Sequence, residues 1–79
     1  MSPTVFIKSG YRFLFFSREE TRMHVHVQHV NGEAKFWLEP EIKLAQNYGL
    51  NKQRISMSLK IIKEHENEIR SAWKKHFGH

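Results

Sequence analysis

The first half of the chain alternates apolar and polar residues as β-strands do. Its β-branched and aromatic residues fall into four runs, which span residues 4–7, 11–16, 23–30 and 33–38. The run from Met23 to Val30 alternates valine with polar side chains, the period of a strand with one buried face. The pattern therefore predicts four strands.

Turn signals separate these runs. Ser9-Gly10 lies between the first two runs, and Asn31-Gly32 lies between the third and the fourth. Asn-Gly is the strongest short hairpin signal, because a type I′ turn needs positive φ at both central residues. Pro40 has no N–H to donate and is expected to end the last strand. The turns thus predict antiparallel pairing.

The second half has a helical period. Residues 41–48 are predicted to form a short helical turn closed by Gly49, and Asn51 is the expected N-cap of a longer helix over residues 52–77, which Gly78 ends. Because Glu66 interrupts its apolar face, and because ~39 Å of helix exceeds the ~20 Å of a six-residue strand, we expect either a break near Glu66-Asn67 or an overhanging end. The apolar face consists of Ile55, Leu59, Ile62, Ile69, Trp73 and Phe77.

These elements predict an α+β fold. An antiparallel, mainly four-stranded sheet over residues 4–39 is covered by a C-terminal helix or a broken helix pair over residues 52–77, and residues 40–50 link the two parts. With 79 residues, the chain is predicted to be a single domain spanning residues 1–79.

Composition narrows the class of protein further. The chain has no cysteine, which excludes a disulfide framework and a thiolate zinc site. The absence of cysteine favours a cytoplasmic location. No apolar stretch approaches the ~20 residues of a membrane helix, so we expect no membrane partner. The net charge is +5, of which residues 41–79 carry +4, and this basic half suggests an anionic partner.

Two histidines are candidates for acid–base chemistry. His24 and His26 are two residues apart on a predicted strand, so both side chains leave the same face. Cleavage of RNA without a metal needs one group to take the proton of the 2′-hydroxyl and one to protonate the leaving oxygen, and histidine suits both roles. Such a ribonuclease-like site needs no cofactor. The cations that would hold the phosphate are Arg12 and Lys35, together with Arg18 and Arg22.

Two other interpretations of the histidines stay open. With Glu33 as a third ligand, His24 and His26 could bind a metal ion, although zinc needs three or four ligands. A polar residue that alternates with buried valines is also typical of an ordinary strand with one solvated face.

The predicted helix carries a row of cations beside its apolar face. We call this row the basic flank; it consists of Lys52, Lys60, Lys63, Arg70 and Lys74. Such a row can follow a phosphate backbone or contact an acidic protein, and it can also simply face water. If the helix overhangs the sheet, Trp73 and Phe77 are available to a partner protein.

Three segments resemble a bacterial and phage family catalogued as a domain of unknown function. They are Gly10-Tyr11-Arg12-Phe13, His24-Val25-His26-Val27 and the stretch GEAKFWLEP over residues 32–40, and the likeness extends from Pro3-Thr4 to Phe77-Gly78. Arg22-Met23 stands where the family usually has Pro-Pro. Members are often encoded beside a second small protein, and the resemblance implies a toxin–antitoxin-like pair.

The resemblance and the charge together give the functional expectation. The protein is expected to be the small basic component of such a pair, binding a partner encoded by a neighbouring gene and also RNA or DNA. The alternatives are a non-enzymatic module that binds nucleic acid or protein, and a metal-binding protein that uses the two histidines. The sequence leaves homo-oligomerisation open.

Overall fold

Five strands and two helices make up the computed structural model, which describes residues 4–16 and 21–78. The elements are β1 (Thr4–Lys8), β2 (Tyr11–Leu14), β3 (His24–His29), β4 (Gly32–Trp37), β5 (Lys43–Tyr48), α1 (Lys52–Glu64) and α2 (Glu66–Phe77). The strands form one antiparallel sheet whose order follows the chain. The predicted α+β class is confirmed, with a fifth strand. The predicted phosphate-binding cation Arg18 lies outside the described residues.

The fifth strand replaces the helical turn predicted for residues 41–48. Without β5, the outer backbone groups of β4 would have no strand to pair with, and this pairing outweighs the helical propensity of the segment. The Asn47 side chain closes the following turn, donating to the Leu50 carbonyl at 2.8 Å and accepting from the Leu50 amide at 3.0 Å. The expectation of a short helix here was wrong.

The hairpin between β3 and β4 turns one residue earlier than predicted. His29 pairs with Gly32, so Val30 and Asn31 are the central residues. Neither Asn31 nor Gly32 has positive φ, and the predicted type I′ turn is wrong. Gly32 serves a different purpose, because a Cβ atom there would lie 2.2 Å from the Tyr48 carbonyl oxygen. The glycine lets the end of β5 approach β4.

The helices cover one face of the sheet. The largest sheet residues in this core are fully buried: Phe13 pairs directly with Val27, and Val25 pairs with Phe36. The helices contribute Ile61, Ile62, Ile69 and Trp73 to the same cluster. Because side chains alternate along a strand, His24, His26, Lys35 and Trp37 leave the opposite face. The ring of His24, the first residue of β3, also contacts Trp73 of α2, with ring centroids 5.1 Å apart.

The helix ends follow the predicted capping residues. The Asn51 side chain accepts a hydrogen bond from the Arg54 amide at 2.9 Å, and Gly78, with φ 77°, ends α2. The helices are separate, as the break expected near Glu66 predicted, and they meet at His65, whose φ of −114° and ψ of 23° are not helical. The break lets both helices lie on the sheet.

Candidate functional site

The sheet face that points away from the helices carries the candidate site. On it, β3 and β4 pair His26 with Lys35 and His24 with Trp37. These four residues share one face, and Arg22 lies just before β3. We call this group the His–Trp cluster, and it consists of Arg22, His24, His26, Lys35 and Trp37.

Aromatic rings connect the members of the cluster. The His24 and His26 rings lie 5.1 Å apart, centroid to centroid, with their planes nearly perpendicular, and the His24 and Trp37 rings lie 5.7 Å apart. The Phe16 ring lies 4.2 Å from that of His26. The two histidines therefore stand on one face, as their spacing predicts, and they pack edge to face.

Two cations lie over the Trp37 indole. The Arg22 Cζ atom is 4.0 Å from the ring centroid, and the Lys35 Nζ atom is 4.5 Å from it. Both distances are within the range of cation–π attraction. The indole thus contacts two positively charged groups on this face of the sheet.

Hydrogen bonds to Glu39 position the Arg22 side chain. The Nε atom of Arg22 donates to the Glu39 carbonyl at 2.9 Å, and the Glu39 carboxylate accepts from the Met23 amide at 3.2 Å. Because Nε takes only one of the five N–H groups, the terminal nitrogens of this exposed side chain can bind an anion. The guanidinium is held in place before a ligand arrives.

The two histidines differ in accessibility. The Nδ1 atom of His24 donates to the Arg22 carbonyl at 2.7 Å, which requires the proton to be on Nδ1, and the residue is fully buried. His26 is half-buried. A two-histidine ribonuclease site needs both rings at the substrate, and this arrangement presents only His26.

Arg12 and Glu33 belong to the next row of cross-strand pairs, two residues along the strands from His26 and Lys35. Arg12 pairs with Gln28, which in turn pairs with Glu33, and the Arg12 Nε atom donates to the Thr4 hydroxyl at 2.7 Å. Both residues share the face of the His–Trp cluster. The structure thus gathers the four predicted catalytic residues on one face, three of them in the His–Trp cluster and Arg12 in the next row of cross-strand pairs.

The metal-binding alternative needs at least three ligands close together. Among residues 4–16 and 21–78, no group of three or more histidine, cysteine, aspartate or glutamate side chains is close enough to hold a metal ion. His24, His26 and Glu33 therefore do not form such a group. Zinc would need at least one more ligand near the histidine pair.

The basic flank divides into exposed lysines and a structural arginine. Lys52, Lys60, Lys63 and Lys74 are exposed. Arg70 is half-buried; its Nε atom donates to the Glu66 carboxylate at 2.8 Å, and another guanidinium nitrogen donates to the Leu38 carbonyl. Arg70 thus joins α2 to the sheet, unlike the surface cation that the helical pattern indicated.

The two aromatic residues expected to meet a partner lie on the core side. Trp73 is 1% exposed and packs edge-on against Phe15 with ring centroids 5.4 Å apart, while Phe77 is half-buried and lies 4.2 Å from Trp73. The C-terminal end does not overhang the sheet, because the helix is broken at His65 and α2 packs against the core. In this arrangement Trp73 has no surface to offer to a partner.

The role of Trp37 was missed from the sequence. Phe36, Trp37 and Leu38 put large apolar side chains on both faces of the chain; Phe36 and Leu38 are fully buried, whereas Trp37 is half-buried on the polar face. The available signal was the spacing of Lys35 and Trp37, because residues two apart on a strand share a face. The contact with Arg22 could not be read from spacing, since it depends on the path of the chain before β3.

Comparison with known proteins places the chain in a family. Residues 10–74 match the family described as "Domain of unknown function (DUF4160)", and the chain belongs to that family. Neither the curated proteins nor the solved structures contain a significant match to the chain. Within the described residues, neither helix is long and apolar enough to cross a membrane.

Proposed function

We propose that this protein binds single-stranded RNA through the His–Trp cluster, as one component of a toxin–antitoxin-like pair. The observation that carries the proposal is the pair of cations over Trp37, at 4.0 and 4.5 Å from its ring centroid. Surfaces that bind single strands combine positive charge for the backbone with aromatic or guanidinium planes on which bases stack. The cluster supplies both on one sheet face.

The geometry of the cluster suggests a separate role for each residue. Arg22, held by the Glu39 carbonyl, and Lys35 bind the phosphates, and the planar Arg22 guanidinium, with its Cζ atom 4.0 Å from the centre of the Trp37 ring, offers a plane to a base. His26 adds a half-buried ring beside Lys35. His24 has a structural role in the cluster, because it is buried and its Nδ1 proton is directed at a backbone carbonyl.

The proposal is binding rather than cleavage of RNA. Cleavage by a histidine pair requires both rings within hydrogen-bond reach of the substrate, and His24 has no exposed surface. The protein should therefore leave labelled RNA intact during prolonged incubation. Cleavage that is lost in His26→Ala would contradict this part of the proposal.

A titration with matched variants tests RNA binding. Fluorescence anisotropy with single-stranded RNA should show micromolar or tighter binding that weakens as salt rises. Lys35→Ala should weaken it several-fold, and Trp37→Ala should weaken it about tenfold. Lys52→Ala is the matched control, because it removes the same charge from the helix side of the protein and should leave the affinity unchanged. Equal losses in Lys35→Ala and Lys52→Ala would refute the assignment to the sheet face.

The partner protein is the second part of the proposal. Its support is the family resemblance, in which members are often encoded beside a second small protein. Expressing the chain with and without its neighbouring gene should change growth, and the two proteins should copurify. Equal growth in both cases, with the folded protein present and no copurification, would refute the pairing while leaving the RNA titration to be judged separately.

A further inference from the structure

A second row of polar side chains crosses the sheet beside the His–Trp cluster. The register places Arg12 opposite Gln28, Gln28 opposite Glu33, and Glu33 opposite Tyr48, on four neighbouring strands. We call these four residues the polar row. They share a face with His26 and Lys35, because Gln28 and Glu33 lie two residues from them on the same strands. At about 4.8 Å between strands, the row is roughly 14 Å long.

The polar row is accessible to a ligand. Tyr48 is 62% exposed, Arg12 and Glu33 are exposed, and Gln28 is half-buried. An aromatic side chain with this exposure at the end of a row of hydrogen-bonding groups can stack with a base, since every base has an aromatic face. Arg12 is steadied at the other end by its hydrogen bond to Thr4, 2.7 Å long.

The side chains beside Tyr48 can distinguish bases. The Glu33 carboxylate only accepts hydrogen bonds, so it suits a base with an exocyclic amino group, such as cytosine or adenine. Uracil presents a carbonyl oxygen there, which a carboxylate repels. We infer that the polar row is a second nucleotide subsite, with Tyr48 stacking a base and Glu33 selecting cytosine or adenine over uracil.

This inference rests on the proposed RNA binding and extends it to base selection. Glu33 and Trp37 are four residues apart on β4, which is about 13 Å along the strand. One nucleotide cannot reach both sites, whereas an oligonucleotide lying across the sheet can. Arg12 then contacts a phosphate, while Gln28 and Glu33 face base edges.

The test compares oligocytidylate with oligouridylate of equal length by fluorescence anisotropy. The wild-type protein should prefer oligocytidylate by about tenfold, the discrimination expected of one well-placed base contact. Tyr48→Ala should weaken oligocytidylate binding about tenfold, whereas Tyr48→Phe keeps the ring and should retain the affinity. In Glu33→Gln the amide both donates and accepts, so the ratio of the two affinities should fall close to one. The ratio is the decisive readout, because removing a negative charge also raises affinity for any RNA.

The outcomes distinguish this inference from the proposed RNA binding on which it rests. If Lys35→Ala weakens binding but Tyr48→Ala and Glu33→Gln leave both the affinity and the ratio unchanged, the subsite is refuted and RNA binding by the His–Trp cluster stands. If neither oligonucleotide binds the wild-type protein, both are refuted. Loss of binding to the neighbouring protein in Tyr48→Ala, with RNA binding unchanged, would also overturn the subsite and identify the row as a protein interface. Unchanged thermal unfolding of each variant shows that the fold is intact.

Discussion

Replacing Arg70 with alanine removes the side chain that joins α2 to the ends of two strands. Its guanidinium donates to the Leu38 carbonyl and to the Glu66 carboxylate at 2.8 Å, and it lies 3.5 Å from the Met23 sulfur. Leu38 is fully buried, so Arg70→Ala leaves its carbonyl without this donor. We expect the variant to fold but to be much less stable.

The magnitude follows from the separate contacts. A hydrogen bond from a charged donor to a carbonyl contributes about 1.5–3 kcal/mol. The pair with Glu66 adds about 0.2–1 kcal/mol, because the two side chains are 29% and 39% exposed and water screens them. The sum is about 3 kcal/mol, a large part of the ~5–15 kcal/mol that stabilises a typical domain. For a chain of this size, the loss lowers Tm by roughly 12–24 °C.

Thermal and urea unfolding followed by circular dichroism measure this effect. Glu66→Gln removes only the screened ion pair and should cost under about 1 kcal/mol. Lys74→Ala, an exposed member of the same basic flank, is the matched control and should leave Tm nearly unchanged. A Tm of Arg70→Ala within about 2 °C of that of Lys74→Ala would refute the structural role of the arginine.

Two further substitutions test local features of the fold by the same unfolding assays. Gly32→Ala places a Cβ atom 2.2 Å from the Tyr48 carbonyl oxygen and should cost more than about 2 kcal/mol, because β5 must move away from β4; stability equal to wild type would contradict that close approach. Asn51→Ala removes the acceptor for the Arg54 amide and should cost about 1 kcal/mol, whereas Asn51→Asp should restore most of it; equal stability of both variants would show that the cap contributes nothing.

Local patterns predicted the strands and helices well where one face of each is buried. The alternation of Val25 and Val27 with histidines fixed the buried face of β3, and the spacing of Ile62, Ile69 and Trp73 fixed that of the helices. Residues 43–48 gave no such signal, because most side chains of β5 are exposed and the strand exists through its backbone pairing with β4. An edge strand of this kind cannot be recognised from periodicity.

Strand geometry predicted which residues of the candidate site share a face, but not which of them are buried. The spacing of His24 and His26 placed both on one face, but it could not show that His24 would be buried against Trp73, with ring centroids 5.1 Å apart. Helical spacing likewise put Arg70 among surface cations, since the Leu38 carbonyl that it binds is 32 residues away in sequence. Long-range contacts decide which of the predicted residues meet a ligand.

The salt dependence of RNA binding distinguishes the two basic surfaces of the molecule. The exposed lysines of the helices and the His–Trp cluster lie on opposite sides of the sheet, and the smallest extent of the Cα trace is 20 Å, so a short single strand cannot contact both sides at once. If only Arg12, Arg22 and Lys35 neutralise phosphates, the logarithm of the affinity should fall with the logarithm of salt concentration with a slope of about −2. Binding instead at the four exposed lysines of the basic flank, Lys52, Lys60, Lys63 and Lys74, would give a slope of about −3. A slope near −2 that flattens in Lys35→Ala and not in Lys60→Ala is the expected result, whereas a slope near −3 that flattens in Lys60→Ala and not in Lys35→Ala would place the RNA on the helices and refute binding at the sheet face.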